Sequence, residues 1–443
     1  MRVLIAPATT GIGLEIKRSL HHAKNVVLIG CGFESETEIA RQFSEFIYFE
    51  AHSNPRDLSD RLKNLTVEHN IDLLFIAHDQ WLRDLTKIKL PQELLSKIVN
   101  LPTQQSAALL SKSITYKTLQ ISSLVPKILL DPKLIQDFPV FVKPDFGQGS
   151  RGTKKLINKS ELQQFIKSEE FLTKDQYIFA EYLPGPEFTV DCFSDNTSEV
   201  IFCQSRIRVK ITNGIASKTM RVPLPEVQEW AYLISKQYSL IGAWFFQLKH
   251  SLDGSLKLLE IGLRVAGASG INRILGVNLS LMQLYQFLGN SISVLEQNFP
   301  TVFEQAENRA SILHKVENAY FDYDDTIKGQ NGTNQAIKNS IISLHKSGVQ
   351  VSILTRNIHD LSSWLETADL SQRIHQVVSL KTYEKKSDYI MKNKSFLFVD
   401  DSHRERCEVY AKHTNKGLVL DPSAFETELF FETSRIRFDS KWS

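Results

Sequence analysis

The sequence predicts a multidomain chain of α/β and α+β construction. Strands and helices alternate from the amino terminus, a strand ending in lysine runs into a three-glycine loop mid-chain, and two acidic pairs each follow a short apolar strand in the last third. At 443 residues, 42% hydrophobic and 23% charged, the composition is globular and long enough for two or three domains with sizeable cores. The 52 basic residues nearly cancel the 50 acidic ones, so nucleic-acid and membrane partners have no electrostatic support and small-molecule substrates fit better. Cys31, Cys192, Cys203 and Cys407 lie far apart with no CxxC pair, which argues against a zinc site or disulfide framework and predicts a cytoplasmic protein.

Residues 1–6 form an apolar stretch too short for a signal sequence or membrane span, and read as a first buried strand. Gly11 and Gly13 turn the chain into a helix. Because Ile16 stands where the third glycine of a dinucleotide fingerprint belongs, this is read as a structural turn rather than a ligand loop. A strand over 73–77 ends at His78-Asp79, at the edge where open sheets bind ligands. Both are nevertheless read as ordinary loop residues. No fixed-period repeat, low-complexity tract or linker marks a boundary, so domains are assigned from motif order.

Val140-Phe141-Val142-Lys143-Pro144 is a strand carrying a lysine at its end, followed by Gly147-Gln148-Gly149-Ser150-Arg151-Gly152. Glycines let backbone N–H groups approach phosphate oxygens, and Lys143 can neutralise charge that the loop cannot. Downstream come Glu181-Tyr182-Leu183-Pro184-Gly185-Pro186-Glu187, then Gln247 and Glu260 on successive strands, with Arg264 after them. This order resembles the ATP-grasp family, particularly its carbamoyl-phosphate-synthase-like carboxylate–amine ligases, over about residues 1–310. The resemblance implies a pre-ATP-grasp α/β domain at 1–105 and an ATP-grasp domain at 106–312. It implies that Lys112, Lys143, Gly149 and Ser150 hold phosphates, that Glu181 and the backbone at Leu183 read adenine, and that Glu187 accepts from the ribose. Gln247 and Glu260 would bind Mg²⁺, with Mn²⁺ as a substitute, and Arg264 would stabilise charge during phosphoryl transfer. Arg206, Arg208 and Lys210 alternate along a strand and face either the acyl phosphate or, as is commoner, solvent. One departure stands out: where the family has Glu-x-Asn-Pro-Arg, this chain has Glu260-Ile261-Gly262-Leu263-Arg264. A metal ligand is missing at 262, to be replaced by water or by a residue such as Asn272.

In the last third, Asp322-Tyr323-Asp324-Asp325-Thr326 ends the strand at 319–321. Thr355 ends the strand at 351–354, Lys386 precedes a predicted helix at 387–390, and Asp400-Asp401 follows the strand at 396–399. These four motifs, in this order, resemble the haloacid dehalogenase (HAD) superfamily and imply a Rossmannoid α/β phosphatase domain over 316–443. Asp322 would be the nucleophile, Asp324 the general acid and base, Thr355 a phosphoryl hydrogen-bond donor and Lys386 a neutralising cation. Asp322, Asp324, Asp400 and Asp401 would supply the Mg²⁺ ligands. The gaps from Asp325 to Thr355 and from Lys386 to Asp400 are too short for a cap domain, which predicts an open site shielded by another domain or acting on a large substrate. The leading expectation is therefore a bifunctional biosynthetic enzyme: an ATP-dependent ligase using a carboxylate and an amine, fused to a phosphatase acting on a phosphoester. A phosphatase with a nucleotide-binding regulatory module and a non-enzymatic scaffold are the alternatives. The relatives lead one to expect a homo-oligomer, for which no seam is readable.

Overall fold

The structure, a computed structural model of the chain, describes residues 1–33, 43–49, 52–129, 131–147, 149, 151–173, 177–212, 214–305, 309–329, 332–357, 361–392, 394–413 and 416–432. Ser150 and the tail at 433–443 lie outside them. The chain divides into two compact units, one of residues 1–269 and 279–292 and the other of residues 270–278 and 293–443.

The first unit begins with a parallel sheet in the order Glu45–Tyr48, Val27–Gly32, Arg2–Ala6, Leu73–Ile76. Its strands are near-continuous apolar runs because both faces are covered, and Leu4, Ile29, Leu74 and Ile76 are fully buried against Trp81 and Leu82. At the first turn the Thr10 hydroxyl caps helix Gly11–Leu20 by accepting from the Gly13 N–H at 2.9 Å. A Cβ on Gly13 would lie 2.7 Å from the carbonyl oxygens of Pro7 and Ala8. That glycine is therefore accounted for by strand–helix packing.

Two antiparallel arrays follow in the same unit. A small one runs Ile128–Leu129, Tyr177–Glu181, Val140–Pro144, Lys154–Leu156, and Val142, Leu156, Phe165 and Phe179 form its core. In the larger one the order within this unit is Leu256–Gly262, Gly242–His250, Glu187–Ser194, Val200–Thr212, Ile215–Arg221. Helix Val227–Tyr238 packs its Ala231 and Ile234 against Val190, Trp244 and Phe246 of that array. Cys192 and Cys203 face each other across adjacent strands as free thiols.

The second unit is built on a five-stranded parallel sheet, ordered Gln376–Ser379, Gln350–Thr355, Asn318–Phe321, Phe396–Val399, Gly417–Leu420. Helices Gln335–Lys346 and His403–Lys412 serve its crossovers, and Tyr320, Leu354, Phe398, Val409 and Val419 fill its core. The central strand has a neighbour on each side, leaving a crevice beyond its carboxyl end where open α/β sheets place ligands. Asp322 sits at that end.

Candidate functional site

In the first unit one pocket of about 120 Å³ is lined by Lys112, Lys143, Gly149, Glu181, Leu183, Glu187, Gln247 and Glu260, so every described phosphate, adenine, ribose and metal candidate in this half faces the same space. Gln247 and Glu260 are directly opposed on adjacent antiparallel strands. Both project oxygens into the pocket, which is the donor chemistry a hard divalent cation takes.

Lys112 opens helix Lys112–Thr118, capped by the Ser111 hydroxyl, and its Nζ donates to the Gly147 carbonyl at 3.0 Å and lies 3.7 Å from Glu260. Lys143 is buried and donates to the Tyr116 hydroxyl at 2.5 Å and to the Leu259 carbonyl at 3.1 Å. Burial, reinforced by the neighbouring Lys112 charge, pushes its pKa down to about 7. A polyphosphate would offset that penalty by adding its negative charge to that of Glu260 and Glu187.

The Glu181 carboxylate accepts from the Lys127 N–H at 2.7 Å and its own N–H donates to the Lys127 carbonyl at 3.0 Å, and Glu181, Tyr182 and Leu183 all line the pocket. Arg208 donates to Glu187, to Gln247 Oε1 at 2.9 Å and to the Gly214 carbonyl at 2.6 Å. Arg206 pairs with Asp191 at 2.8 Å, 3% exposed. The solvated-face reading of this strand is therefore corrected for both arginines: at their depth an unpaired charge is too costly, and each has found a carboxylate. Gly214, with φ +74°, packs on the glycine loop so closely that a Cβ there would lie 2.2 Å from the Gly149 carbonyl carbon.

Arg264 does not line this pocket. It forms a bidentate pair with Asp79, at 2.6 Å and 2.5 Å, and its guanidinium is 5.2 Å from the Phe245 ring. Asp79 and His78 thus belong to a second cleft, of about 440 Å³, which shares Lys112, Pro144, Gly147, Arg151 and Glu260 with the first. They stand at the start of helix Asp79–Thr86 rather than in a loop, with Asp79 held by Arg264. They are drawn in because the strand Leu73–Ile76 ends beside the larger array and Arg264 needs a carboxylate. Gly262 also has a packing reason: it is opposite Phe245, and a Cβ would sit 2.2 Å from that ring. Asn272 lies in the other compact unit.

In the second unit Lys386, 3% exposed, donates to Asp322 at 2.5 Å and Asp400 at 2.6 Å. Its exposed neighbours Lys381 and Lys385 do not share this position. Burial and the Asp400 charge raise the Asp322 pKa, and burial raises that of Asp400, each opposed by Lys386. Burial would lower the Lys386 pKa, but the two carboxylates prevail and raise it. Oxygens of Asp322, Asp400 and Asp401 lie within 4.8 Å of one another, a set suited to Mg²⁺. Asp324 stands apart from this trio, exposed, its carboxylate accepting from the Asn357 amide at 3.1 Å and the Thr355 hydroxyl at 3.5 Å. The helix expected after Lys386 is a 3₁₀ turn, Lys386–Asp388, closed by i to i+3 bonds.

Sequence reasoning missed four contributors: Tyr116, Asn357, and the pair Arg356 and Glu405. Arg356 donates to the carbonyls of Lys381, Thr382 and Glu384 at 2.8–3.2 Å and to Glu405 at 2.7 Å. It thereby pins the loop that delivers Lys386. Adjacency to Thr355 was the available signal for Arg356 and Asn357; Tyr116 had none.

Comparison with known proteins gives partial matches. The profile described as "ATP-grasp in the biosynthetic pathway with Ter operon" matches residues 173–309. Over 74 residues the chain is 34% identical to a D-alanine–D-alanine ligase of Pediococcus pentosaceus, a stretch that is 17% of this chain and spans only 21% of that ligase. Among solved structures it is similar to the biotin carboxylase domain of Hydrogenobacter thermophilus 2-oxoglutarate carboxylase, a dimer in complex with MgADP, ADP and bicarbonate (TM-score 0.55, 15% identity, 68% of this chain and 73% of that one). It is also similar to a biotin carboxylase β-γ-ATP complex from Campylobacter jejuni (0.55, 16%, 68% and 74%) and to N5-carboxyaminoimidazole synthetase from Staphylococcus aureus complexed with ADP (0.52, 16%, 68% and 80%). At these identities the likeness is one of fold. The chain is a mixed α/β multidomain protein with an ATP-grasp fold.

Proposed function

We propose that residues 1–105 and 106–312 work together as an ATP-dependent carboxylate–amine ligase and residues 316–443 as a Mg²⁺-dependent phosphatase, a division by motif order that assigns 270–278 and 293–312 to the ligase although they belong to the second compact unit. The observation that carries the ligase reading is the meeting of Lys112, Lys143, Glu187, Gln247 and Glu260 in one pocket. ATP is a substrate here. The substrate carboxylate attacks the γ-phosphorus and ADP leaves; the amine then attacks the acyl carbon of the acyl phosphate and expels inorganic phosphate. Lys112 and Lys143 hold the polyphosphate, Glu181 and the backbone at Leu183 the adenine, and Glu187, released by Arg208, the ribose hydroxyls. Arg264 lines neither cleft and would act only through Asp79, the carboxylate it holds at the wall of the adjoining cleft. Mg²⁺, held by Gln247 and Glu260 in one unit and by Asp322, Asp400 and Asp401 in the other, would neutralise phosphoryl charge.

In the second unit the Lys386 bridge between two buried carboxylates carries the reading. Asp322 attacks phosphorus, the bond to the ester oxygen breaks, and Asp324 protonates the departing alcohol. Asp324 then takes a proton from water, which displaces Asp322 and leaves inorganic phosphate. Asp324 is the one carboxylate of the motif exposed enough to exchange protons with substrate and water.

Incubation with ATP, Mg²⁺ and a panel of carboxylates and amines should release ADP and phosphate only when acid and amine are both present; no substrate-dependent ADP across the panel counts against the ligase. Asp322→Asn should abolish phosphoester hydrolysis and spare ADP release, and Glu260→Gln should do the reverse. The Gly262–Phe245 packing, which bars a metal ligand at 262, favours one alternative, a nucleotide-binding regulatory module beside an active phosphatase; it predicts ATP binding without turnover. A homo-oligomer is part of the reading on the precedent of the H. thermophilus dimer.

A further inference from the structure

The 440 Å³ cleft beside the nucleotide pocket is larger than the phosphate end it adjoins, and none of its far wall is needed to hold a nucleotide. Its wall is cationic. Arg83, on helix Asp79–Thr86, lies flat over the Phe146 ring at 3.3 Å, and Arg151 extends from the glycine loop. Among the described residues neither guanidinium forms an ion pair with a carboxylate. Of the two carboxylates lining the cleft, Asp79 is engaged by Arg264, and Glu260 faces Lys112. His78 adds no charge near neutrality, since burial holds its pKa below the ordinary value. The remaining surface is mainly apolar, formed by Leu109, Leu110, Phe245 and Ile261, with Gln80 its other polar side chain.

Two uncompensated guanidinium groups facing a cavity of this size attract an anion that brings its own negative charge, and stacking on Phe146 holds Arg83 extended in advance of binding. Lys112 and Glu260 mark the end of the cleft where phosphoryl transfer would occur, so one anionic group belongs there. Arg83 lines this cleft and not the nucleotide pocket, so it would meet a different group, and Arg151, which lines both, stands between the two. Resting on the ligase reading, we propose that this cleft binds a carboxylate substrate bearing a second anionic group, with the reacting carboxylate toward Lys112 and the second anion held by Arg83 and Arg151, the short linker lying on Phe245 and Ile261. The second anion is a carboxylate or a phosphate, groups a guanidinium grips with the same two-point geometry.

Isothermal titration of the full chain saturated with Mg²⁺ and a non-hydrolysable ATP analogue tests this, using butyrate, succinate and 3-phosphoglycerate as probes. Succinate or 3-phosphoglycerate should bind at least ~tenfold more tightly than butyrate, as a charge-assisted contact requires; whichever binds better identifies the second anion. Arg83→Gln should remove that preference, leaving butyrate and the ATP analogue within about twofold of the parent, and Arg151→Gln should reduce it independently. Equal binding of all three acids, a preference that survives in both variants, or competition between succinate and the ATP analogue overturns the proposal. Failure of the ATP analogue to bind would instead refute the ligase reading, so the two failures are distinct. If Arg83→Gln does not fold, Arg151→Gln and the parent's own selectivity still decide.

Discussion

Two buried lysines serve the two candidate sites, and their environments push them in opposite directions. Lys143 is buried beside neutral partners, the Tyr116 hydroxyl and the Leu259 carbonyl, and burial with the nearby Lys112 charge outweighs Glu260 and Glu187, so its pKa falls to about 7. Lys386 lies between Asp322 and Asp400, so its charge is favoured despite similar burial and its pKa rises. In the first pocket Glu260 and Glu187 offset only part of the cost of burying Lys143 beside Lys112, so an added anion is favoured. The second carries excess carboxylate and is completed by a cation. Burial sets the size of each penalty, and the sign of the nearest charge decides the outcome.

The sharpest break of this contrast is Asp322→Asn, which should lower phosphoester turnover by about 10³-fold or more through loss of the nucleophile, with ligase turnover unchanged in the same sample. Lys386→Met should come next, costing about 3–5 kcal/mol because two buried carboxylates lose their shared cation. Urea denaturation would measure it, and added Mg²⁺ should recover part of the loss; a variant as stable as the parent would refute the contrast.

Lys143→Met should behave in the opposite way, weakening nucleotide binding while leaving the nucleotide-free protein more stable than the parent at pH 7, with the difference shrinking toward pH 10. The sign follows from linkage. Between a folded pKa of about 7 and the ordinary 10.5, the folded state holds fewer protons than the unfolded one, so this lysine's contribution to stability rises with pH across that window. Urea midpoints of the nucleotide-free protein from pH 7 to 10 should rise less steeply in Lys143→Met than in the parent.

Gly262→Ala should cost about 1–3 kcal/mol by overpacking against Phe245, and Phe245→Leu in the same chain should recover most of it; thermal denaturation of the single and double variants reads this. The smallest effect is expected from Arg356→Lys, roughly a tenfold drop in kcat with KM little changed, since Arg356 holds the 381–384 loop rather than substrate. Rescue of activity by high Mg²⁺ would separate that role from general instability.

Much of the fold was legible locally. The strand ends at Lys143 and Phe321, the glycine loop, and the helix over Gln335–Lys346 follow from apolar runs, turn residues and spacing. The pocket candidates were legible as types in a given order, and the geometry gathers the described ones. Partnerships were not legible. That Arg264 would choose Asp79, 185 residues away, depends on a strand end brought beside the larger array. Arg208's bridge from Glu187 to Gln247 depends on the alignment of three strands. Gly262 looked like a lost ligand, and only its register opposite Phe245 supplies a steric reason.

By itself the sequence determined which chemical groups are present, their order and the elements that carry them, because strand periodicity, turn residues and short motifs are local properties. The tertiary structure decided which charges meet, how deeply they are buried, and hence in which direction each lysine's pKa moves. Coulomb interactions and desolvation depend on distance and solvent access, which are set when remote strands pair.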